Sequence, residues 1–255
     1  MASTSATDGV MWRPSRLVFI GLGGIGSWLV EPVCRYFTSV CHQAVLVDGD
    51  AISHSNLLRQ AFSANEVHGY KVHSLISRMR ALFPGRTFSA VPTFVSRTNV
   101  GSIIQTNDAV FVSPDNHEAR RVVAAEAKLK RNIAVFTAGN ELHDGSVHVY
   151  LKLEGIEMSR DFMQRHPEAV DEVGETRGGC GELIDRGAVQ LIAVNFLMAA
   201  LVMLSVHLVF KYGSLRSADE TWGMIPQELY GSLDGKVRAS MVVQQALAKE
   251  AACTS

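Results

Sequence analysis

Residues 17–60 read LVFIGLGGIGSWLVEPVCRYFTSVCHQAVLVDGDAISHSNLLRQ, and this stretch decides the fold. It predicts an apolar strand over 17–20, a glycine turn over 21–26, a helix over 25–37 and a second strand over 44–47 that ends in acids. Glycines between a strand and a helix let backbone N–H groups approach a phosphate. Asp48 stands 22 residues after Gly26, where the acid that binds a ribose belongs. The stretch therefore predicts a nucleotide site, although the glycines alone would also fit a plain strand-to-helix connection.

Strands and helices continue to alternate after residue 60. A polar loop or short helical turn is expected over 53–60, and Ser63-Ala64-Asn65-Glu66 has the pattern of a capped helix start. The remaining predicted elements are helices over 70–83, 100–105 and 117–129, strands over 87–94, 108–112 and 133–137, and an antiparallel strand over 146–153. This order indicates an α/β fold with a doubly wound, mostly parallel, Rossmann-like sheet and an antiparallel extension.

The chain divides by composition into four predicted parts. These are a flexible lead-in over 1–16, a nucleotide-binding α/β core over 17–153, a mobile crossover loop over 154–186, and a helical, dimerising extension over 187–255. The extension is expected to contain a long apolar helix over 187–210, a turn-rich segment over 214–234 and an amphipathic helix over 236–252.

The apolar segment over 187–210 carries no charged residue and is long enough to cross a bilayer. It is interrupted by Gln190, Asn195 and His207. Helices that are apolar all round also occur in the cores and interfaces of soluble proteins. We therefore favour a core or dimer helix over a membrane span.

Composition excludes several classes of partner. The 255 residues include 24 basic and 25 acidic side chains, so no broad basic footprint for nucleic acid or acidic lipid is present. The four cysteines form no C-x-x-C pair, and no metal-ligand spacing such as H-E-x-x-H occurs, so we expect no zinc. Without a secretory segment, the expected location is the reducing cytoplasm.

Four further motifs follow the glycine turn. They are Asp48-Gly49-Asp50, Ser55-Asn56-Leu57-Leu58-Arg59-Gln60, Lys71, and an apolar strand that ends in Asp115-Asn116. Together with Gly21–Gly26, this combination resembles the superfamily of ThiF, MoeB and the ubiquitin-activating enzymes. The resemblance covers about the first 140 residues, and the combination is far more specific than any one piece.

The resemblance implies ATP-dependent adenylylation of a protein's C-terminal carboxylate, usually the Gly-Gly end of a small ubiquitin-like or sulfur-carrier protein. It implies catalytic roles for Arg59, Lys71, Asp115 and Cys180, with Asp115 binding Mg²⁺. It also implies a nucleotide-binding role for each residue in a longer set: Gly21, Gly23, Gly24, Gly26, Asp48, Asp50, Asn56, Arg59, Gln60, Lys71 and Asn116. These residue types suit the chemistry, because attack on an α-phosphorus needs cations to neutralise charge on the phosphates.

Each residue also has a structural interpretation. Arg59 and Gln60 fit an exposed polar loop, Lys71 a solvated helix charge, and Asp115 the N-cap of the following helix. Relatives also carry paired C-x-x-C zinc motifs, which are absent here. Many have an N-terminal arginine that reaches a partner subunit's site, for which this chain offers only Arg13 and Arg16.

Cys180 lies in Arg177-Gly178-Gly179-Cys180-Gly181-Glu182, where ThiF-like relatives place a cysteine that can accept the activated acyl group. A nearby arginine would favour its thiolate. An unreactive loop thiol is the alternative, and Cys34 is expected to pack in the core.

Three functions follow from these observations. The first is an adenylyltransferase that uses ATP and Mg²⁺, forms a homodimer through the 187–210 helix and activates a small carrier protein. The second is a nicotinamide-dependent oxidoreductase, which would not need Asn56, Arg59 and Gln60. The third is a non-catalytic subunit of a larger assembly, which would not need to retain Arg59 and Lys71.

Overall fold

The computed structural model describes residues 12–165, 192–212, 215–216 and 221–245. Its strands are β1 (Arg16–Ile20), β2 (Gln43–Val47), β3 (Thr87–Val91), β4 (Asp108–Val112), β5 (Ile133–Asn140), β6 (Asp144–Leu153), β7 (Ile156–Glu157), β8 (Leu215–Arg216), β9 (Thr221–Ser232) and β10 (Val237–Gln245). Its helices are α1 (Gly26–Tyr36), α2 (Lys71–Leu82), α3 (Val100–Ile103), α4 (His117–Lys128), α5 (Phe162–Arg165) and α6 (Ile192–His207). Short 3₁₀ turns cover His54–Leu58 and Ala64–Glu66, and a π-helical turn over Leu208–Tyr212 follows α6.

One sheet of the order β10-β9-β6-β5-β4-β1-β2-β3 organises these elements. The five strands from β3 to β5 pair in parallel, and the pairs from β5 through β6 and β9 to β10 are antiparallel. Parallel strands need crossovers, which α1, α2, α3 and α4 supply on the two faces. The predicted doubly wound sheet with an antiparallel extension is confirmed.

Apolar side chains fill both faces of the sheet. On one face Phe19, Phe111 and Phe136 stand side by side on β1, β4 and β5, with ring centroids 5.0 and 5.3 Å apart. Residues of α1, α2 and α6 cover this face, whereas α3 and α4 cover the opposite face. The sheet is therefore buried on both sides, as the continuous apolar runs of its parallel strands require.

Helix α6 packs on the sheet rather than standing apart from it. Val194, Met198 and Val202 are fully or almost fully buried in the core beneath it. The span Ile192–Lys211 is long and apolar enough to cross a membrane by length and composition, and half of its most apolar window is buried inside the protein. Burial of this kind is typical of a core helix, which is the interpretation favoured above.

The predicted lead-in over 1–16 overlaps the folded domain at its last residues. The Trp12 ring stacks on Phe210 at 5.5 Å, and Trp12 Nε1 donates to Asn107 Oδ1 at 3.2 Å. Strand β1 already begins at Arg16. An aromatic ring next to the first strand has enough apolar area to anchor the chain. Residues 1–11 lie outside the described residues.

The predicted loop over 154–186 contains regular secondary structure in the part that the structure describes. Residues 156–157 form β7 against β6, and Phe162–Arg165 form α5. Asp161 starts α5, since its side chain accepts from the backbone N–H of Met163 and Gln164. This is the capping that acids supply at a helix start. The part from 166 to 186 lies outside the described residues.

The helical prediction for the C-terminal extension fails beyond α6. The segment expected to be turn-rich forms β9, and the amphipathic helix expected over 236–252 is instead strand β10 from 237 to 245. The two strands pair along their length through a turn at Asp234-Gly235, where Gly235 has φ +85°. Long-range pairing has overridden the helical propensity of the sequence.

Smaller differences occur in the parallel half. Ser63 and Glu66 form the predicted capping box, but it starts only the turn at Ala64–Glu66, and α2 begins at Lys71. Between this turn and α2, His68 has φ +73°, a left-handed conformation that prevents one continuous helix. Strand β3 ends at Val91, before the expected Phe94.

Candidate nucleotide-binding site

The predicted motifs meet at one edge of the sheet. Strand β1 lies between β2 and β4 in the sheet. The strands that follow β1 are added on one side as far as β3, and β4 and β5 are then added on the other side, so the strand order reverses at β1. A crevice at the carboxyl ends of strands opens where strand order reverses in this way. The glycine turn follows β1, the acids follow β2, and Asp115 follows β4.

The glycine turn needs its glycines for close backbone approach. Gly21 has φ +83°, and a Cβ on it would lie 2.6 Å from Pro114 N. A Cβ on Gly26 would lie 1.9 Å from Gly21 O, so neither position admits a side chain. Ser113 Oγ donates to Gly21 O at 2.8 Å. The loop that carries Asp115 is therefore bound directly to the glycine turn.

Asp48 ties the end of β2 to this turn. Its Oδ2 accepts from Leu22 N at 2.7 Å, and its Oδ1 accepts from Asp50 N at 2.8 Å. Burial raises the pKa of the Asp48 carboxyl, against the charge of Lys71 and these two N–H groups. Each carboxylate oxygen keeps a further lone pair, so a ribose hydroxyl can still donate to it.

Lys71 brings a buried cation to the same edge. Its side chain is 6% exposed; Nζ donates to Asp50 Oδ2 at 2.7 Å and lies 3.9 Å from Asp48 Oδ1. Lys71 N also donates to Asp50 O, which places the start of α2 against the end of β2. The solvated helix charge considered for Lys71 is wrong, because lysine is rarely buried unless it is paired.

The 3₁₀ turn after Ser53 buries the next polar group. Asn56 Oδ1 accepts from Ser53 N at 3.0 Å, so this side chain closes the turn. Arg59 and Gln60 are both buried, so the exposed-loop interpretation is wrong for them. Gln60 Nε2 lies 3.8 Å from where a Cβ on Gly23 would be, and apart from the two chain neighbours of Gly23 no other described residue lies within 4 Å of that Cβ position.

Asp115 and Asn116 follow the end of β4 and have different roles. Asn116, not Asp115, caps α4, since its Oδ1 accepts from Ala119 N at 2.7 Å. Asp115 is exposed on the loop beside the glycine turn. The N-cap alternative considered for Asp115 therefore applies to its neighbour, and Asp115 stays open to solvent.

The residues present fit an ATP molecule. Gln60 Oε1 is buried with no hydrogen-bond partner among the described residues, so a ligand donor would satisfy it. The room above Gly23 and the adjacent helix start suit a phosphate. Within the part of the chain that the structure describes, no group of three or more acid, histidine or cysteine side chains could hold a metal. Mg²⁺ typically binds one or two carboxylates plus substrate phosphates, for which Asp115 suffices.

The structure places two of the other sequence-derived candidates, Arg16 and Cys34, away from this crevice. Arg16 pairs with Asp108 at the amino-terminal end of β1, away from the crevice of its own chain. Cys180 lies outside the described residues. Cys34 is buried in the core as expected, and burial raises the pKa of its thiol to about 11.

Sequence reasoning missed three side chains at this edge. Trp28 Nε1 and Asn195 Nδ2 each donate to Arg59 O at 3.1 Å. Asn140 Nδ2 donates to Asn195 Oδ1 at 3.0 Å. Asn195 stood out as a polar interruption of an apolar segment, and that was the available signal.

Comparison with known proteins places the chain in a family. The model of the ThiF family matches residues 5–222. This chain belongs to the ThiF family. The match extends well past the motifs of the first 140 residues and includes β6 and α6.

Curated relatives of this ThiF-family chain match half of its length or less. The SAMP-activating enzyme E1 of Haloferax volcanii is 32% identical over 108 residues, covering 42% of this chain and 38% of that protein. The tRNA threonylcarbamoyladenosine dehydratase of Haemophilus influenzae is 29% identical over 129 residues, covering 50% of this chain and 48% of that protein. The chain thus spans less than half the length of each of these relatives.

Solved structures share its fold over nearly the whole length. E. coli MccB with ATP superposes with a TM-score of 0.64 at 18% identity, covering 92% of this chain and 66% of that chain. PaaA superposes with a TM-score of 0.63 at 19% identity, covering 90% and 64%. At these identities the likeness concerns the fold.

Proposed function

We propose that this chain adenylylates the C-terminal carboxylate of a small ubiquitin-like or sulfur-carrier protein that ends in Gly-Gly, using ATP and Mg²⁺. The observation that carries the proposal is the buried ammonium of Lys71, 3.9 Å from the carboxylate that ties down the glycine turn. Relatives named as a SAMP-activating enzyme and as adenylyltransferase and sulfurtransferase uba4 support it. A hydride-transfer site has no need of Asn56, Arg59 and Gln60, which lie at the same edge.

The chemistry assigns each group a task. An oxygen of the carrier's carboxylate attacks the α-phosphorus of ATP, and the bond from that phosphorus to pyrophosphate breaks. Lys71 offers a point charge and Arg59 a planar fork to the phosphate oxygens on which charge develops. Asp48 accepts from the ribose hydroxyls. A magnesium ion held by Asp115 would neutralise further phosphate charge.

The position of Asp50 allows the Lys71 ammonium to exchange its carboxylate partner for a phosphate of ATP. Its carboxylate is 51% exposed, whereas the Lys71 ammonium it binds is buried. A half-exposed acid regains water when it leaves its partner, so an arriving phosphate can take over the ammonium at low cost. Asp50 thereby keeps the buried charge paired while the site has no nucleotide.

The direct test is isotope exchange between pyrophosphate and ATP. We expect exchange when the full chain is given a carrier ending in Gly-Gly, and none with the same carrier shortened by those two residues. A chain that binds ATP but exchanges with no carrier would favour the non-catalytic subunit. Binding of a nicotinamide cofactor without ATP would favour the oxidoreductase.

A second step is proposed for Cys180. Its thiolate would attack the activated carbonyl, forming a thioester and releasing AMP. We expect a carrier adduct that is cleaved by thiol, present in wild type and in Cys253→Ala but absent in Cys180→Ala. Equal adduct yield in all three proteins would overturn this step and leave adenylylation intact.

Homodimerisation through α6 is part of the proposal. Ile192, Phe196, Ala200 and Leu204 recur every four residues and are all exposed, which leaves an apolar stripe along one face. We expect a dimer by light scattering that Ala200→Glu dissociates. Ala125→Glu, an exposed alanine of α4, is the matched control. A dimer unaffected by Ala200→Glu would place the interface elsewhere.

A further inference from the structure

We propose that Asn195 of α6 is a positioning residue that fixes Arg59 beside the glycine turn. The role rests on the proposed function and adds a residue that none of the predicted motifs contains. Through Asn195, the apolar helix α6 of the second half forms a hydrogen bond with the nucleotide edge of the first half.

The Asn195 side chain is fully buried and uses both ends of its amide. Nδ2 donates to Arg59 O at 3.1 Å, and Oδ1 accepts from Asn140 Nδ2 at 3.0 Å. Asn140 is the last residue of β5, so one amide connects α6, the end of a central strand and the Arg59 turn. Leaving either end of this buried amide without a partner would cost free energy. The Asn195 side chain is therefore held in the one orientation that satisfies both ends.

The same side chain lies against the glycine turn. A Cβ on Gly24 would stand 2.7 Å from Asn195 Oδ1 and 2.8 Å from Asn195 Nδ2. Only a residue without a side chain leaves room for this contact. Position 24 must therefore be glycine because the Asn195 side chain occupies the space that a side chain would need. Gly23 differs, since the nearest atom to its Cβ position is Gln60 Nε2, at 3.8 Å.

Helix α1 holds the Arg59 segment from the other direction. Trp28 Nε1 donates to the same Arg59 carbonyl at 3.1 Å, and Ser27 Oγ accepts from Ala61 N at 3.0 Å. The Arg59 carbonyl accepts two hydrogen bonds, and Ala61 binds α1 through a third. These contacts fix the position of the Arg59 backbone. Its buried side chain therefore starts from a fixed Cα, which is what precise placement of a charge against a phosphate requires.

Ser205 supplies the contrast that separates positioning from helix stability. It is the other fully buried polar side chain of α6, and its Oγ donates only within the helix, to Leu201 O at 2.9 Å. Ser205→Ala therefore changes α6 without touching the nucleotide edge. Asn195→Ala removes a contact to three separate parts of that edge.

The test measures ATP affinity and exchange kinetics in the full chain. For Asn195→Ala we expect the Kd for ATP by calorimetry and the KM for ATP in pyrophosphate exchange to rise together, by about tenfold for the lost hydrogen bond to Arg59 O. Ser205→Ala should leave both constants unchanged. Asn140→Ala, which frees the other end of the amide, should raise both constants by less, and it serves if Asn195→Ala does not fold.

A double-mutant cycle tests the shared carbonyl. Trp28→Phe keeps an aromatic ring against Phe196 while removing the second donor to Arg59 O. Combining it with Asn195→Ala leaves that carbonyl without both donors. We therefore expect the loss of ATP affinity in the double variant to exceed the product of the single losses.

The failures of the two proposals are distinguishable. Equal ATP affinity in wild type, Asn195→Ala and Asn140→Ala would overturn the positioning role while the proposed function stands. The same increase in Kd for Ser205→Ala as for Asn195→Ala would also overturn it, because the effect would then come from the helix alone. A wild-type chain that binds no ATP overturns the proposed function and, with it, this inference.

Discussion

Two basic side chains are paired with acids at opposite edges of the same sheet, and they are built differently. Arg16 holds Asp108 with two hydrogen bonds, from Nε to Oδ1 at 2.9 Å and from a terminal nitrogen to Oδ2 at 2.7 Å. That pair is closed, since Arg16 also donates to Ile103 O and Asp108 Oδ2 accepts from Gln105 N.

The Lys71 pair is open by comparison. Lys71 Nζ makes one short contact, to Asp50, and the second acid stands 3.9 Å away. Asp50 is half exposed, whereas Asp108 is completely buried. A bidentate pair with all its partners in place is suited to holding the fold, and a point charge with a displaceable partner is suited to binding an anion. The difference teaches that burial of a charge does not by itself identify a functional site.

The largest expected effect separates the two pairs by activity. Lys71→Met should lower the rate of pyrophosphate exchange by about 10²- to 10³-fold, because an aligned charge is lost where phosphate charge develops. Lys128→Met is the control: it removes a lysine that pairs with buried Asp161 away from the crevice. Equal rates in Lys71→Met and wild type would mean that the open pair, like the closed pair, serves only the fold.

The next largest effect concerns stability. Asp108→Asn should lower the free energy of unfolding by about 3 kcal/mol, since it leaves Arg16 without a charged partner in a buried site. Urea denaturation measures this loss. Exchange activity per folded molecule should stay at the wild-type level, and a selective fall in that activity would mean that this pair also serves the site.

Asp50→Asn makes the matching change in the open pair. Here the loss of unfolding free energy should be about 1 kcal/mol or less, because Asp50 is half exposed and Lys71 keeps Asp48 nearby. The measurement is the same urea titration, run beside Asp108→Asn. If the two variants lost equal stability, the distinction between a closed and an open pair would fail.

The sequence could predict that the residues of the open pair share one site, but it contained no signal for the closed pair. Asp48, Asp50 and Lys71 belong to motifs at strand and helix ends, where the chain itself sets their positions. Arg16 and Asp108 stand at the starts of strands far apart in sequence, and only the pairing of β1 with β4 brings them together. Topology, which local pattern does not contain, decides that contact.

Topology also decides the conformation of the second half of the chain, where the helical prediction failed. Strand β10 reads VRASMVVQQ, which has no period that excludes a helix, and its partner β9 fixes its conformation. The Asp234-Gly235 turn was a hairpin signal that the sequence did contain. Asn195 was visible only as a polar residue in an apolar run. Its role depends on Arg59 and Asn140, which lie 136 and 55 residues away in the sequence.

The smallest expected effect is a pH dependence at Asp48. Burial raises the pKa of this carboxyl above 3.8, so between the two values the folded chain binds more protons than the unfolded one. Stability from this group is therefore fully present below pH 3.8 and is lost as the pH rises through the folded pKa. Wild type should gain stability relative to Asp48→Asn as the pH is lowered from 7 towards 4, measured by urea denaturation at each pH. A difference that stays constant, or moves the other way, would mean that Lys71 and the two N–H groups outweigh burial, and the open pair would then resemble the closed one.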